Sequence, residues 1–354
     1  MAAPGRSHTV MALVGIAGVA VGLAVAMGWF DGDGDTRVSS AMDPANSVSH
    51  STAEPLDITA TPVDLLPTNP GLRTLGALTF VKGWVLQSDH PRFGGWSGLV
   101  LSGRTLTAIS DRGWWLEARF DIAGEAPLTD ASIRPFSPET RTASKSDLDA
   151  ESLIAAPLGF LVAFERNHRL SYASVPGGWT WDIALDRLPD LSGLPRNGGL
   201  EAIAWTADDA LLMFSERGLD PQGRLKAWRW NALGKGTERT EVFYLKPGSN
   251  FAPTDAARLP SGDILVLQRR YTPADGVAAR LVRLRAASVA AGLAGRTLQG
   301  DLLAEWAPPY TVDNMEALAV IDRDNGSPRL IMMSDDNFSR TQRTLLMVFD
   351  LAGA

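Results

Sequence analysis

Gly199-Leu200-Glu201-Ala202-Ile203-Ala204-Trp205, followed by Leu211-Leu212-Met213-Phe214-Ser215-Glu216-Arg217-Gly218, reads as a β-hairpin. An acid opens the first strand, Thr206-Ala207-Asp208-Asp209 turns the chain, and a continuous apolar strand ends on an acid–arginine pair. The pattern recurs along the chain. Ser97-Gly98-Leu99 leads to Ile109-Ser110-Asp111-Arg112-Gly113, and Glu151-Ser152-Leu153-Ile154 leads to Phe164-Glu165-Arg166-Asn167. Further on, Asp255-Ala256-Ala257 leads to Leu267-Gln268-Arg269-Arg270, and Glu316-Ala317-Leu318 leads to Met333-Ser334-Asp335-Asp336-Asn337. The five openings are 54, 50, 54 and 61 residues apart. That period suits a four-stranded propeller blade with generous loops.

The expected fold is therefore all-β, a β-propeller of five four-stranded blades, with space for a sixth between Gln268 and Glu316. The innermost strand of each blade lines a central channel, so a residue repeated at one place becomes a ring. The first ring reads Ser97, Glu151, Glu201, Asp255, Glu316. A second set, Asp111, Glu165, Glu216 and Asp335, gathers at the ends of the neighbouring strands, with Gln268 the departure. Carboxylates converging on one axis repel one another and need cations, either their own arginines or a bound metal.

The 354 residues are 45% hydrophobic and 21% charged, within the range of a globular protein, and the 11 Trp, 34 Gly and 22 Pro favour a turn-rich β chain. The net charge of −7 leaves no basic footprint for nucleic acid. Without a single cysteine the chain forms no disulfide, thiolate metal site or cysteine nucleophile. Four histidines, two of them (His8 and His50) before the folded region, argue against a His-rich zinc site.

From the N-terminus, Val10 to Phe30 is apolar. Its 21 residues at about 1.5 Å each reach roughly 30 Å, enough to cross a bilayer. Ala24-Val25-Ala26 also has the small-residue form of a signal-peptidase site, so residues 1–30 read as a signal peptide or a transmembrane anchor. Residues 31–70, rich in Ser, Thr, Pro and Asp, read as a disordered linker, and 71–354 as the propeller. Leu78 to Leu86 alternates as a strand, and Thr344 to Asp350 is the last one; pairing the two closes the ring without a free edge. Ala286 to Leu298 is the one stretch with helical character. The expected location is the cell envelope, on the periplasmic or extracellular side, with membrane contact through the N-terminal segment alone and a monomeric domain.

Gly95-Trp96-Ser97-Gly98-Leu99 fails the nucleophile-elbow pattern, and the chain has no HExxH, P-loop or Rossmann glycine run. The carboxylates are the better chemistry. Asp147, Asp149 and Glu151 alternate and share one face of an extended strand. Such a density of hard oxygen donors suits Ca²⁺, which makes Asp149, Glu151, Glu201, Asp255 and Glu316 the candidate metal ligands, with Glu201 and Glu316 also placed to activate water. Arg112, Arg166, Arg217 and Arg269 follow the strands, and guanidinium forks bind phosphate or carboxylate bidentately. The competing reading is structural: the acids cap turns and pair with the arginines beside them, fastening blade to blade.

Trp96-Ser97-Gly98-Leu99 with Ile109-Ser110-Asp111-Arg112-Gly113, then Leu200-Glu201-Ala202-Ile203, Asn250-Phe251-Ala252-Pro253-Thr254-Asp255 and Asn314-Met315-Glu316-Ala317-Leu318, resemble the phytase-like family, "esterase-like activity of phytase". The resemblance covers residues 72–352. It implies a propeller related to the calcium-dependent alkaline phytases, which have six blades, and hydrolysis of phosphate or other esters. Ser97 and Gln268 depart from a uniform ring, and the lysines of the domain, Lys82, Lys145, Lys226, Lys235 and Lys246, are few for a substrate as charged as phytate. The expectation is a metal-assisted hydrolase of a small anionic ester. The alternative is a non-catalytic propeller that binds a protein or cell-envelope ligand.

Overall fold

The computed structural model describes residues 52–183, 189–231, 240–246, 248–323 and 326–352. The apolar stretch Val10 to Phe30 lies outside them. Among the described residues no helix is long and apolar enough to cross a membrane.

Five antiparallel sheets follow one another along the chain. Their innermost strands are Trp96–Ser102 in blade 1, Ala150–Ala156 in blade 2, Leu200–Trp205 in blade 3, Ala252–Arg258 in blade 4 and Asn314–Ile321 in blade 5. Each touches the next, and the fifth touches the first, so the ring is closed with five blades. The gap between Gln268 and Glu316 holds no further blade. It is filled by the rest of blade 4 and by the short helix Ala286–Ala290, and the helical pattern then gives way to Thr297–Leu298, a parallel strand on the edge of blade 3.

Closure uses both ends of the chain. The strand Leu78–Gln87 lies between the C-terminal strand Thr344–Leu351 and the edge strand Thr59–Pro62. The fold thus begins within the stretch read as linker. Thr59–Pro62 edges blade 5 and Glu54–Pro55 edges blade 1. Proline and threonine are compatible with an edge, where one side of the strand needs no ladder partner, which is why composition alone reads this stretch as tether.

Five hydrophobic clusters lie one at each interface between neighbouring blades. Between blades 1 and 2, Trp115 stacks on Phe136, and Phe136 meets Phe164 edge to face. Alternation along each strand supplies both faces of every sheet, so each blade is wedged from both sides.

Every innermost strand breaks register after its first residues. The ladder skips from Trp96 to Gly98, from Ala150 to Ser152, from Leu200 to Ala202, from Pro253 to Asp255 and from Met315 to Ala317. The extra residue of a β-bulge is unpaired and its side chain is re-aimed. The five bulged residues are Ser97, Glu151, Glu201, Thr254 and Glu316. Asp255 is thus one residue past the ring position, where Gly98, Ser152, Ala202 and Ala317 stand in the other blades.

At that level the inner strands close on one another. A Cβ on Gly98 would lie 2.5 Å from the Leu153 nitrogen. Asp255 reaches across the axis from blade 4. Its Oδ1 accepts hydrogen bonds from Ser152 Oγ in blade 2 (2.9 Å) and from the Ala256 amide (2.9 Å), and its Oδ2 accepts one from the Leu318 amide in blade 5 (2.7 Å). Burial pushes its carboxyl well above the usual range, against the hydrogen bonds that lower it. Asp255 is a crosspiece of the channel floor. Asp255→Ala should orphan three buried donors and lower the unfolding free energy by about 3 kcal/mol, read by urea denaturation, while leaving the calcium response of the melting temperature in place; a lost calcium response at unchanged stability would return Asp255 to the ring.

Candidate functional site

Above this floor the bulges aim Glu151, Glu201 and Glu316 into the channel. The adjoining strands add a second ring through a shared register: Asp111, Glu165, Glu216, Arg269 and Asp335 occupy the position facing Gly95, Asp149, Gly199, Ala252 and Asn314. Arg269 therefore stands where the other blades carry an acid. Arg112, Arg166 and Arg217 follow that position by one residue, so their counterpart in blade 4 is Arg270, not Arg269.

Glu165 is the centre of the acidic set. It lies within 4.8 Å of Asp149 and Glu151 on one side and of Glu201 and Glu216 on the other, taking one oxygen per residue. Its Oε1 accepts hydrogen bonds from the amides of Gly198 and Gly199 (2.9 Å for Gly199), donated by the loop that leads into blade 3. Gly199 has to be glycine, because a Cβ there would lie 2.0 Å from the His168 ring. The repeat of acids at strand ends was the signal for Glu165 and Glu216, but sequence reasoning placed neither among the metal ligands.

Asp149 is buried against Lys145 Nζ (2.8 Å) and paired with the Arg166 guanidinium. Lys145 also binds Asp111 (2.5 Å). Glu216 is held by Arg217 (3.0 Å) and Arg269 (3.3 Å), and Arg269 continues to Glu316 (2.6 Å), which Asn314 also contacts (2.7 Å). Arg166 and Arg269 are thus engaged with carboxylates. Arg217 keeps 59% of its side chain exposed, and Arg112 is exposed with its guanidinium 3.5 Å from the centre of the Phe338 ring. Among the described residues neither Glu151 nor Glu201 pairs with a lysine or arginine.

Eight carboxylates (Asp111, Asp149, Glu151, Glu165, Glu201, Glu216, Glu316, Asp335) therefore face four bound cations, Lys145, Arg166, Arg217 and Arg269. Burial holds the Glu151 carboxyl well above its usual range, reinforced by Asp149, Glu165 and Glu316. Burial does the same to Glu201, helped by Glu151 and Glu216 and by a hydrogen bond with Glu165. Asp335 is raised by burial, then by Asp111 and Glu316. Glu316 is pushed up to about 7 by burial, against the pull of Arg269. With no added cation, the set balances its charge by taking up protons.

The donors fit a hard divalent cation. They are all carboxylate oxygens, unlike the nitrogen and sulfur donors of zinc sites. The buried Asp111 Oδ1 has no hydrogen-bond partner. Two sets that share Glu165 would hold Ca²⁺, Asp149 with Glu151 and Glu165 or Glu201 and Glu216 with Glu165, and in each set one acid, Asp149 or Glu216, is already shared with cations of the chain.

A phytase-like family model, described as "esterase-like activity of phytase", matches residues 91–338. The chain belongs to the phytase-like family. No curated protein matches the sequence. Solved structures similar to this phytase-like chain include a luciferin-regenerating enzyme, 12% identical, covering 83% of this chain and 96% of that one at a TM-score of 0.37. They also include the α-L-arabinofuranosidases of Podospora anserina (12% identity, 80% and 99% covered, TM-score 0.44) and of Clostridium thermocellum (11%, 69% and 83%, 0.41). At these identities and scores the similarities carry nothing about chemistry.

The raised carboxyls give a signed expectation. A group whose pKa is higher folded than unfolded stabilises the fold below its unfolded value, and that stability is lost as pH rises through the folded value. In chelator, the melting temperature should fall as pH rises from about 4.5 through 7, the window set by Glu316. Calcium should remove most of that fall, since it replaces the protons. A melting temperature that is flat across this window in chelator would contradict the stated balance of charge.

Proposed function

We propose that the chain is a metal-assisted hydrolase of phosphate or other small anionic esters, working at the mouth of the propeller channel. The observation that supports this most is the pair of carboxylate clusters that share Glu165, with Asp149 and Glu151 on one side and Glu201 and Glu216 on the other; among the described residues Glu151, Glu165 and Glu201 pair with no lysine or arginine. A bound divalent cation would supply charge for the ester oxygen and acidify a water.

The residues then divide by what they touch. Glu165, fixed by the Gly198 and Gly199 amides, sets the position of Glu201. Glu316, titrating about 7 and clamped by Arg269 and Asn314, can accept the proton of an attacking water and return it to the leaving group. Arg112 and Arg217 retain the exposure needed to hold the anionic part of the ester. Arg166 and Arg269 position Asp149, Glu216 and Glu316 instead. The substrate is a small ester with few charges: with acids outnumbering cations, the mouth disfavours a heavily phosphorylated one. In this proposal the domain is a monomer on the outer side of the membrane, and Val10 to Phe30 delivers it there as signal or anchor.

A second reading has its own support. Arg166 with Asp149, and Arg269 with Glu216 and Glu316, are ion pairs shared within and between blades, as a scaffold that binds an envelope ligand would have. Turnover separates the two. Hydrolysis of p-nitrophenyl phosphate and p-nitrophenyl acetate should require calcium, stop in chelator, and fall at least about 100-fold in kcat/KM in Glu201→Gln and Glu165→Gln. Arg112→Gln should raise KM for the phosphate ester more than it changes kcat. No turnover of either ester with calcium present, in a protein whose melting temperature ignores chelator, would overturn the hydrolase reading in favour of the binding propeller.

A further inference from the structure

Gln268 breaks the pattern of the repeat, and the structure gives it a task away from the channel. Ser110, Ser215 and Ser334 occupy the corresponding place in blades 1, 3 and 5, where their hydroxyls bond to nearby backbone. In blade 4 the longer, fully buried Gln268 instead accepts a hydrogen bond from Arg280 Nε (2.5 Å). This turns the guanidinium toward the cleft between blades 3 and 4.

Arg280 is closely fitted there. Its guanidinium lies 4.5 Å from the centre of the Phe251 ring. A Cβ at position 248 would be 2.0 Å from Nη1, so only glycine admits the guanidinium. Among the described residues no carboxylate comes within ion-pair distance of Arg280. Glu305, its cross-strand neighbour, attracts it from further off, and Arg270 repels it. Partial burial lowers the pKa of Arg280, as expected of a half-buried cation without a contacting counter-ion.

Beside it opens a cleft of about 260 Å³. Leu245 and Leu298 of blade 3 and Val282, Leu284 and Leu302 of blade 4 form its walls, and Lys246 stands at the rim near Gln299 (3.5 Å). Leu302 is 58% exposed, so the outer wall of the cleft is open to solvent. One fixed guanidinium, a second, exposed cation at the rim and apolar walls form a site with a polar end and a greasy body.

We propose that this cleft between blades 3 and 4 binds a small organic carboxylate with a compact apolar body, its carboxylate on Arg280 and Lys246 and its apolar part against Val282, Leu284 and Leu302. The site lies at the periphery of the propeller, does not share residues with the channel mouth, and does not rest on the ester-hydrolase reading. The guanidinium supplies a bidentate fork for a carboxylate, and the walls favour a ligand carrying apolar surface over a bare inorganic anion.

The test uses the full chain and three probes: benzoate, benzyl alcohol and inorganic phosphate, titrated by calorimetry and by ligand-observed NMR. Benzoate should bind saturably with a Kd below about 10 mM, and neither benzyl alcohol, which lacks the charge, nor phosphate, which lacks the apolar body, should saturate in that range. R280Q should weaken benzoate at least about tenfold, the loss of one charged contact. L302D changes an exposed side chain, so the fold is retained, and it should weaken benzoate similarly by placing a negative charge at the cleft. Absence of saturable benzoate binding overturns the proposal. So does benzoate binding that is unchanged in L302D, or phosphate or benzyl alcohol binding as tightly as benzoate.

Discussion

Carboxylates brought close together out of water cannot all stay charged, and the centre of this propeller is arranged around that constraint. Five inner strands approach one axis, and their bulges turn Glu151, Glu201 and Glu316 inward above a floor of small residues. The second ring adds Asp111, Glu165, Glu216 and Asp335. Lys145, Arg166, Arg217 and Arg269 offset part of the charge, and proton uptake by Glu201, Glu151 and Glu316 offsets more. What is left is a cluster of acids around Glu165 that could hold a metal cation. The same electrostatics that burden the fold thus define the chemistry it favours.

Bulges explain how a repetitive fold carries a non-repetitive site. Ser97 and Thr254 take the ring position in blades 1 and 4 with neutral hydroxyls, and Thr254 Oγ1 donates to the Met315 carbonyl (2.9 Å), tying blade 4 to blade 5. The acids are thereby concentrated in blades 2, 3 and 5. Blade 4 brings the opposite charge through Arg269, which joins Glu216 of blade 3 to Glu316 of blade 5. Stability and site share these residues, so removing Arg269 would disturb both.

Much of this was legible in the chain itself. Hairpins ending on acid–arginine pairs indicated the five blades, the motif blocks from Trp96-Ser97-Gly98-Leu99 to Asn314-Met315-Glu316-Ala317-Leu318 carried the family resemblance, and the alternation of Leu78 to Leu86 showed which strand closes the ring. The register did not show. Asp255 and Glu201 look alike in a run of letters, but a bulge after Pro253 gives the ring position to Thr254 and sends Asp255 to the floor. The same one-residue offset puts Arg269 among the acids. Glu165 was visible as a strand-end acid, but its central place depends on the Gly198 and Gly199 amides, which approach from a loop more than thirty residues away. Such a contact has no local sequence pattern.

The most direct test of the account is a crystal structure of the chain grown with manganese in place of calcium, with anomalous diffraction locating the ion. The account predicts an anomalous peak on the channel axis within bonding distance of Glu165, with Glu151 or Glu201 as its neighbour. An empty axis at saturating manganese, with Glu165 and Glu201 still sharing a hydrogen bond, would contradict it.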